Sequence, residues 1–382
     1  MIRRLKNYYH LGNAAFSSTR YKFPGRKLTV IGITGTDGKT TTSTMLYSIL
    51  MEAKIKAALI TTIGAYVDGN FYETGLHTTT PSSRVLQKYL GHAYKSGCTH
   101  VVLEITSHGL DQNRAWGIPF FVGIITNITR EHLDYHKTYE KYVHAKAKLL
   151  RLAKTPIINA DDQSYEYLLK ELKGKAHITY SINDSALLPA KMKLIGEFNR
   201  QNALAAATAA QFLGIEKNII KKAISEFTPP EGRQEVIHDD EFKVIVDFAH
   251  TPNAFYQVLP AVKKETKGRL IHVFGAAGKR DASKRPDMGR ASSLYADVVI
   301  LTAEDPRGES VVKINQEIKS GFEKKVLFYE IADRRAAIKK ALETAKKGDI
   351  VLLTGKGHEK SINYDGSETA WSEKETVFEF LR

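Results

Sequence analysis

The chain has 382 residues, 42% of them hydrophobic, and a formal net charge of +14, which is too long for one ordinary core and fits two domains. No apolar run reaches the length of a membrane span, the opening MIRRLKNYYHLGNAAFSSTRYKF is too polar for a signal-peptide core, and the single Cys98 permits no internal disulfide, so a cytoplasmic protein is expected. The lysines scatter over apparent helices without an aromatic-and-basic stripe, which argues against nucleic acid and leaves anionic ligands or an anionic surface as the natural partners.

From Leu28 onward short β-rich runs alternate with helical patterns: LTVIGIT, a helix over 40–53, AALIT, a helix over 82–96, HVVLEIT, FFVGIITNI, a helix over 138–151 and TPIINA. That alternation predicts an α/β unit with a parallel sheet wrapped by helices. Residues 62–77 read as a hairpin, and helices are expected near 200–213 and 216–227. TPPEGRQE then breaks the pattern, dividing the chain into a basic leader (1–27), a central domain (28–228) and a C-terminal domain (229–382). In the last, FKVIVDFA, RLIHVFG, DVVILT, KVLFYEI and DIVLLTG alternate with helices, predicting a Rossmann-like open sheet. GAAGKR is a poor match to the dinucleotide fingerprint, so NAD is not expected.

The central chemistry begins at Gly35-Thr36-Asp37-Gly38-Lys39-Thr40, followed by Thr41 and placed between a strand and a helix. Two glycines let backbone N–H groups converge on phosphate oxygens, Lys39 neutralises β/γ charge, and the Thr40 hydroxyl suits Mg²⁺. Ile33 occupies the place of the usual first glycine, so this is a shortened phosphate loop for ATP. Glu104 ends the strand HVVLEIT, at the sheet edge where ligands bind, and reads either as a solvated charge or as a metal ligand. His132 follows the next strand and is either a structural imidazole or a ligand. Lys146 interrupts the apolar stripe Tyr139, Tyr142/Val143, Leu149/Leu150. A lysine there either snorkels to water or loses its proton and becomes reactive toward CO₂.

The loop, with EITSHGLDQNR, TNITREHLDYH, HAKAKLL, GEFNRQNALAA, GRQEV, DFAHTPNA, GKRDASKRPDMG, EDPRGE and GKGHE in order, resembles the Mur ligase superfamily over about residues 28 to 382. The blocks are most similar to the subfamily that adds the third residue of the peptidoglycan peptide. The resemblance implies a P-loop central ATPase domain and a C-terminal Rossmann-like domain. It implies a ligase that phosphorylates a muramyl-peptide carboxylate with ATP and joins it to an amino acid. Catalytic positions are then Lys39, Glu104, His132 and Lys146, the last carrying a CO₂-derived carbamate. Mg²⁺ falls to Thr40, Glu104, His132 and Lys146.

By the same resemblance Asn202 faces adenine, while Arg233, Asp247 and His250 either meet the nucleotide or knit the domains together. Thr78, Thr79, Thr80, Thr106, Gln112 and Arg114 line the acceptor groove, with Thr78 and Thr106 standing where Asn and Ser are usual. The incoming amino acid meets Arg280, Glu304, Asp305, Pro306, Arg307, Gly355 and Glu359. Members that add meso-diaminopimelate carry Asp-Asn-Pro-Arg, so Arg307 favours that amino acid although Glu304 and Asp305 differ. Asp37 also departs from the usual Asn and must turn its charge away from phosphate.

Full-length members possess a further N-terminal domain, on the order of a hundred residues, that grips the uridine nucleotide. Here residues 1–27 alone precede the first strand, so recognition by the muramyl peptide alone and a monomer are expected. The leader reads as a short basic helix that either packs on the ATPase domain or rests on an anionic membrane face or a partner subunit. Rival readings are a folylpolyglutamate-synthase-like ligase and a non-catalytic ATP-binding subunit in wall synthesis.

Overall fold

The computed structural model describes residues 2–73 and 80–381, so Thr78 and Thr79 of the expected acceptor groove lie outside the described residues. The chain forms two compact units, Met1–Lys193 with Phe198–Thr228, and Leu194–Glu197 with Pro229–Arg382.

The first unit opens with α1 (Ile2–Arg20), longer than the short leader helix expected, and continues through β1 (Thr29–Thr34), α2 (Lys39–Glu52), β2 (Ala57–Ile60) and the hairpin β3 (Ala65–Val67) and β4 (Asn70–Tyr72). Next come α3 (Ser83–Lys95), β5 (His100–Glu104), α4 (Ser107–Asp111), β6 (Phe120–Ile125), α5 (Leu133–His136) and α6 (Tyr139–Leu152). β7 (Thr155–Asn159), α7 (Tyr165–Leu172), β8 (Ile178–Tyr180), α8 (Glu197–Phe212) and α9 (Lys217–Glu226) complete it. Its sheet runs β4-β3-β2-β5-β1-β6-β7-β8. Helices cover both faces, so β5 and β6 read as nearly continuous apolar runs rather than alternating ones. β1 pairs in parallel with both β5 and β6. The chain therefore leaves β1 at a point where connections diverge to either side, the place where an open sheet offers a crevice. The helix expected at 200 starts at Glu197, which puts Asn199 inside its first turn rather than in the preceding turn.

The second unit holds β9 (Glu235–Asp239), β10 (Lys243–Asp247), α10 (Pro252–Glu265), β11 (Leu270–Phe274), α11 (Arg285–Tyr295) and β12 (Val298–Leu301). It ends with α12 (Val311–Lys319), β13 (Leu327–Glu330), α13 (Arg334–Thr344), β14 (Ile350–Thr354), the hairpin β15 (Ser361–Asn363) and β16 (Glu368–Ala370), and α14 (Glu373–Leu381). Its sheet runs β13-β12-β11-β14-β10-β9. Five strands are parallel, and the sixth is the antiparallel edge β9, which the βα pattern did not contain. A half-exposed edge strand with the sequence EVIHD lacks the apolar run that marks the buried ones.

Candidate active site

The phosphate loop is fixed from its flanks. Thr36 N–H donates to the Asn127 carbonyl (2.8 Å) and Asp37 N–H to Asn127 Oδ1 (2.9 Å). The Asp37 carbonyl in turn accepts from Thr126 Oγ1 (2.7 Å) and Asn127 Nδ2 (3.1 Å). Thr36 Oγ1 lies 3.2 Å from the Tyr142 hydroxyl. Lys39 Nζ donates to the Thr36 carbonyl (2.8 Å), folding its stem over the loop, while Thr40 and Thr41 are buried in the first turn of α2. Both glycines are demanded by close approach. A Cβ on Gly35 would stand 1.8 Å from Thr126 Oγ1, and one on Gly38, where φ is +78°, 2.0 Å from Asn202 Oδ1.

Glu104 is buried at the end of β5, beside the loop. Its carboxylate accepts from Thr40 Oγ1 (3.0 Å), Thr62 N–H (3.0 Å) and Thr62 Oγ1 (3.0 Å), so the solvated-charge reading fails. Thr40 and Glu104 thus offer two hard oxygen donors at one point, a set that fits Mg²⁺ completed by water and phosphate oxygens. Among the described residues no group of three His, Cys, Asp or Glu side chains forms a closed metal cage. His132 occupies a left-handed turn (φ +55°) and sets its ring against His108 (centroids 5.0 Å) and Tyr142 (6.1 Å). Behind it His136, fully buried, meets Ser107 Oγ at 3.0 Å, an orienting contact.

Lys146 settles the choice between snorkelling and burial. Thr138 caps α6, whose inward face carries Tyr142, Val143, Lys146, Leu149 and Leu150, and Lys146 is 1% exposed. Its Nζ donates to the Gly35 carbonyl (2.5 Å) and sits 4.6 Å from the Tyr142 ring centroid. Burial, with nearby Lys39, drives its pKa well below the usual lysine value, against the opposing pull of Asp37, Glu131 and Glu104. The inward lysine therefore reaches the first residue of the phosphate loop with its charged form disfavoured by burial.

Asn202 is buried on α8 against the loop, taking a hydrogen bond from Thr42 Oγ1 (3.4 Å) and donating to Asn199 Oδ1 (3.2 Å). The described acceptor-groove residues come together. Thr80 and Thr106 hydroxyls are 3.1 Å apart, Thr106 Oγ1 caps α4 through Gly109 N–H (3.0 Å), and Arg114 reaches Gln112 Oε1 (2.9 Å) and the Thr80 carbonyl (2.5 Å). Burial lowers the pKa of Arg114.

In the second unit Asp247 accepts from Gln234 N–H (2.8 Å) and Ala249 N–H (2.7 Å), fixing the turn after β10. The Arg233 guanidinium stacks on Phe248 (4.4 Å). His250 Nδ1 lies 2.8 Å from the Phe248 carbonyl, and burial, aided by Lys284, pushes its pKa down to about 4. These contacts hold a local frame inside the second unit.

The loops after β12 and β14 meet around a residue that the sequence reading did not single out, Lys356. Fully buried, it donates to Asp305 Oδ1 (2.8 Å) and Glu359 Oε2 (2.6 Å). Burial works against its charge, but Glu359 and Asp305 outweigh that and raise its pKa. Asp305 also accepts from Asn363 N–H (3.1 Å) and, through Oδ2, from Arg307 Nη2 (3.2 Å). Glu304 lies against Gly355, whose φ is +102°, and burial pushes its carboxyl up to about 7 even though Lys284 and Lys356 pull the other way. The Pro306 carbonyl approaches Gly278, and Gly278 N–H donates to the Asp305 carbonyl (2.8 Å), tying the loop after β11 to the loop after β12. Arg280 is exposed, and among the described residues no hydrogen bond joins it to this cluster. The segment GKGHE carries Lys356 and Glu359 three residues apart, but nothing local in it marks the lysine as buried.

Comparison with known proteins places these arrangements. Residues 33–191 match the Mur ligase middle domain and residues 232–357 the Mur ligase glutamate ligase domain. The UDP-N-acetylmuramoyl-L-alanyl-D-glutamate–2,6-diaminopimelate ligase of Aquifex aeolicus is 42% identical, covering 94% of this chain and 78% of its own length. The UDP-N-acetylmuramyl-tripeptide synthetase of Treponema denticola is 36% identical over 96% of this chain and 78% of its own. A solved UDP-N-acetylmuramoyl-L-alanyl-D-glutamate–2,6-diaminopimelate ligase shares 33% identity with a TM-score of 0.62, covering 93% of this chain and 78% of that one. A Mycobacterium tuberculosis folylpolyglutamate synthase gives a TM-score of 0.73 at 17% identity, with 90% and 92% covered, a likeness of fold alone.

Proposed function

The chain belongs to the Mur ligase family and is an ATP-dependent amino-acid ligase of peptidoglycan-precursor synthesis; we propose that the amino acid it adds is meso-diaminopimelate. The observation that carries this is the Arg307 guanidinium, only partly buried and aimed by Asp305, in a cluster that pairs three carboxyl groups (Glu304, Asp305, Glu359) with three cations (Lys284, Arg307, Lys356). The distal end of diaminopimelate bears both a carboxylate and an ammonium. Arg307 suits the first by bidentate pairing, and the acidic groups suit the second. Lysine presents only the ammonium and leaves the guanidinium unused.

In this reading the phosphate loop holds ATP through its backbone N–H groups, Lys39 balances phosphate charge, and Thr40 and Glu104 hold Mg²⁺. Mg²⁺, when bound, neutralises charge on the transferring phosphoryl group. The muramyl-peptide carboxylate is phosphorylated and the amino group of the incoming amino acid displaces phosphate, giving an amide. Arg114, with Thr80, Thr106 and Gln112, holds the acceptor. Asn202 addresses adenine, and Arg233, Asp247 and His250 address the rest of the nucleotide. His132 serves as a further metal ligand. The buried Lys146 amine suits a carbamate: its lone pair attacks CO₂, a C–N bond forms and a proton leaves, turning a proton-poor amine into an anion that can help hold a cation. Dependence on ATP and the absence of an internal disulfide point to the cytoplasm.

The test is ATP-dependent phosphate release by the purified protein with a muramyl-dipeptide acceptor, comparing meso-diaminopimelate with lysine. A higher kcat/KM for diaminopimelate is expected, and a preference for lysine overturns the assignment.

A further inference from the structure

Two segments of the first unit contain no acidic residue at all: residues 1–36 carry seven Lys and Arg and residues 80–103 carry three. The fold brings these segments together. α1 packs on α3, with Gln87 Nε2 donating to Ser18 Oγ (3.1 Å), and Ser18 Oγ donating to the Trp116 carbonyl (2.9 Å). Cations including Lys6, Arg20, Lys22, Arg26, Arg84 and Lys95 are exposed on this side. Two acids border these segments: Asp111, which accepts from Asn7 Nδ2 (3.2 Å) and from the Tyr135 hydroxyl (2.8 Å), and Glu73, whose backbone carbonyl accepts from the Tyr89 hydroxyl of α3 (2.8 Å), so the cations outnumber the acids.

On α1 itself, Ala14, Ser17 and Ser18 face inward. The opposite stripe presents Tyr8 (71% exposed), Tyr9 (69%) and Phe16 (69%), with Gly12 between them and nothing within 4 Å of where its side chain would be. Tyr9 and Phe16 are seven residues apart and share one face. Three aromatic rings left in water on a predominantly cationic surface have no account in ATP or substrate binding.

We propose that the α1–α3 face is a docking surface for an anionic lipid bilayer. Tyr8, Tyr9 and Phe16 enter the headgroup region, where amphipathic rings are favoured, and the surrounding lysines and arginines meet lipid phosphates. The contact is peripheral, since among the described residues no helix is long and apolar enough to cross a membrane. A second copy of the chain is a poor occupant because two such faces would oppose like charges. A nucleic-acid backbone would account for the cations but not for rings standing on a convex helix.

The experiment is vesicle co-sedimentation of the full chain. Vesicles of equal parts phosphatidylglycerol and phosphatidylcholine are expected to bind the protein at least about tenfold more strongly than pure phosphatidylcholine, with release near 0.5 M salt. The double variant Tyr9→Ser/Phe16→Ser and the triple variant Lys6→Glu/Arg20→Glu/Lys22→Glu are each expected to lower partitioning about tenfold or more. Melting temperature and ligation of soluble substrates should not change. Equal partitioning to both vesicle types, or wild-type binding by the charge-reversed variant, overturns the proposal. So does a dimer in sedimentation that both variants dissociate. Tight binding to single-stranded DNA without vesicle binding would reassign the face to nucleic acid.

Discussion

Each unit of the molecule buries one lysine completely in its site, and the two have opposite fates. Lys146 has a backbone carbonyl and an aromatic ring for company, and its pKa falls. Lys356 has two carboxylates, and its pKa rises. Burial is common to both, so the partners decide whether the nitrogen is a nucleophile in waiting or a fixed charge. One lysine is left with no acidic partner among its hydrogen bonds, and the other is a strut between loops.

The sharpest way to break this contrast is to replace each lysine by methionine, which keeps length and removes charge. Lys146→Met is expected to cut ligation about ten-thousandfold, roughly 5.5 kcal/mol of transition-state stabilisation, with no loss of thermal stability. Phosphate release and a melting curve on the same sample check it, and partial recovery by a small added carboxylate would support the carbamate. Retained turnover would remove Lys146 from the mechanism. Lys356→Met should do the reverse, leaving the buried Asp305 with Arg307 as its remaining cation and the partly buried Glu359 without Lys356, and lowering stability by about 3 kcal/mol in chemical denaturation.

A smaller effect sharpens the role of the strut. Arg307→Ala is expected to weaken use of diaminopimelate by about 1.5–3 kcal/mol while changing lysine use far less. Equal losses in kcat/KM for both amino acids would make Arg307 structural. The smallest effect concerns Glu304, whose carboxyl is held near 7, above its ordinary value of 4.5. A raised folded pKa contributes stability that is full below the unfolded value and is lost as pH rises through about 7. Relative to Glu304→Gln, the wild type should therefore gain stability as pH falls from 8 to 5, by at most about 1.4 kcal/mol per pH unit. A constant difference in melting behaviour across that range would remove the titration from Glu304.

Much of this was legible in the sequence because the signals were local. Strand, glycine-rich turn and helix follow one another along the chain around Gly35 to Thr40, and a lysine on an apolar helical stripe advertises its own burial. The antiparallel β9 escaped because an exposed edge strand carries little apolar pattern. Lys356 escaped because its partner Asp305 belongs to the loop after β12, whose meeting with the loop after β14 depends on strand order, and no periodicity encodes that. Asp305 reads from the sequence as a substrate contact, yet both of its oxygens are engaged by Lys356, Asn363 and Arg307. The aromatic stripe of α1 was visible as composition, but only the packing of α1 on α3 tells which rings are left outside.

The approach of Gly38 to Asn202 carries a consequence for how this protein can drift in evolution. With 2.0 Å between a hypothetical Cβ at 38 and the amide oxygen at 202, and with φ at +78°, position 38 cannot leave glycine while Asn202 stays. A side chain at 38 requires a smaller residue at 202, and a longer one at 202 would press on the bare backbone of the loop. The dependence runs one way across 164 positions (202 − 38): position 202 can shrink by itself, while position 38 is held to glycine by the clash and by its left-handed backbone together.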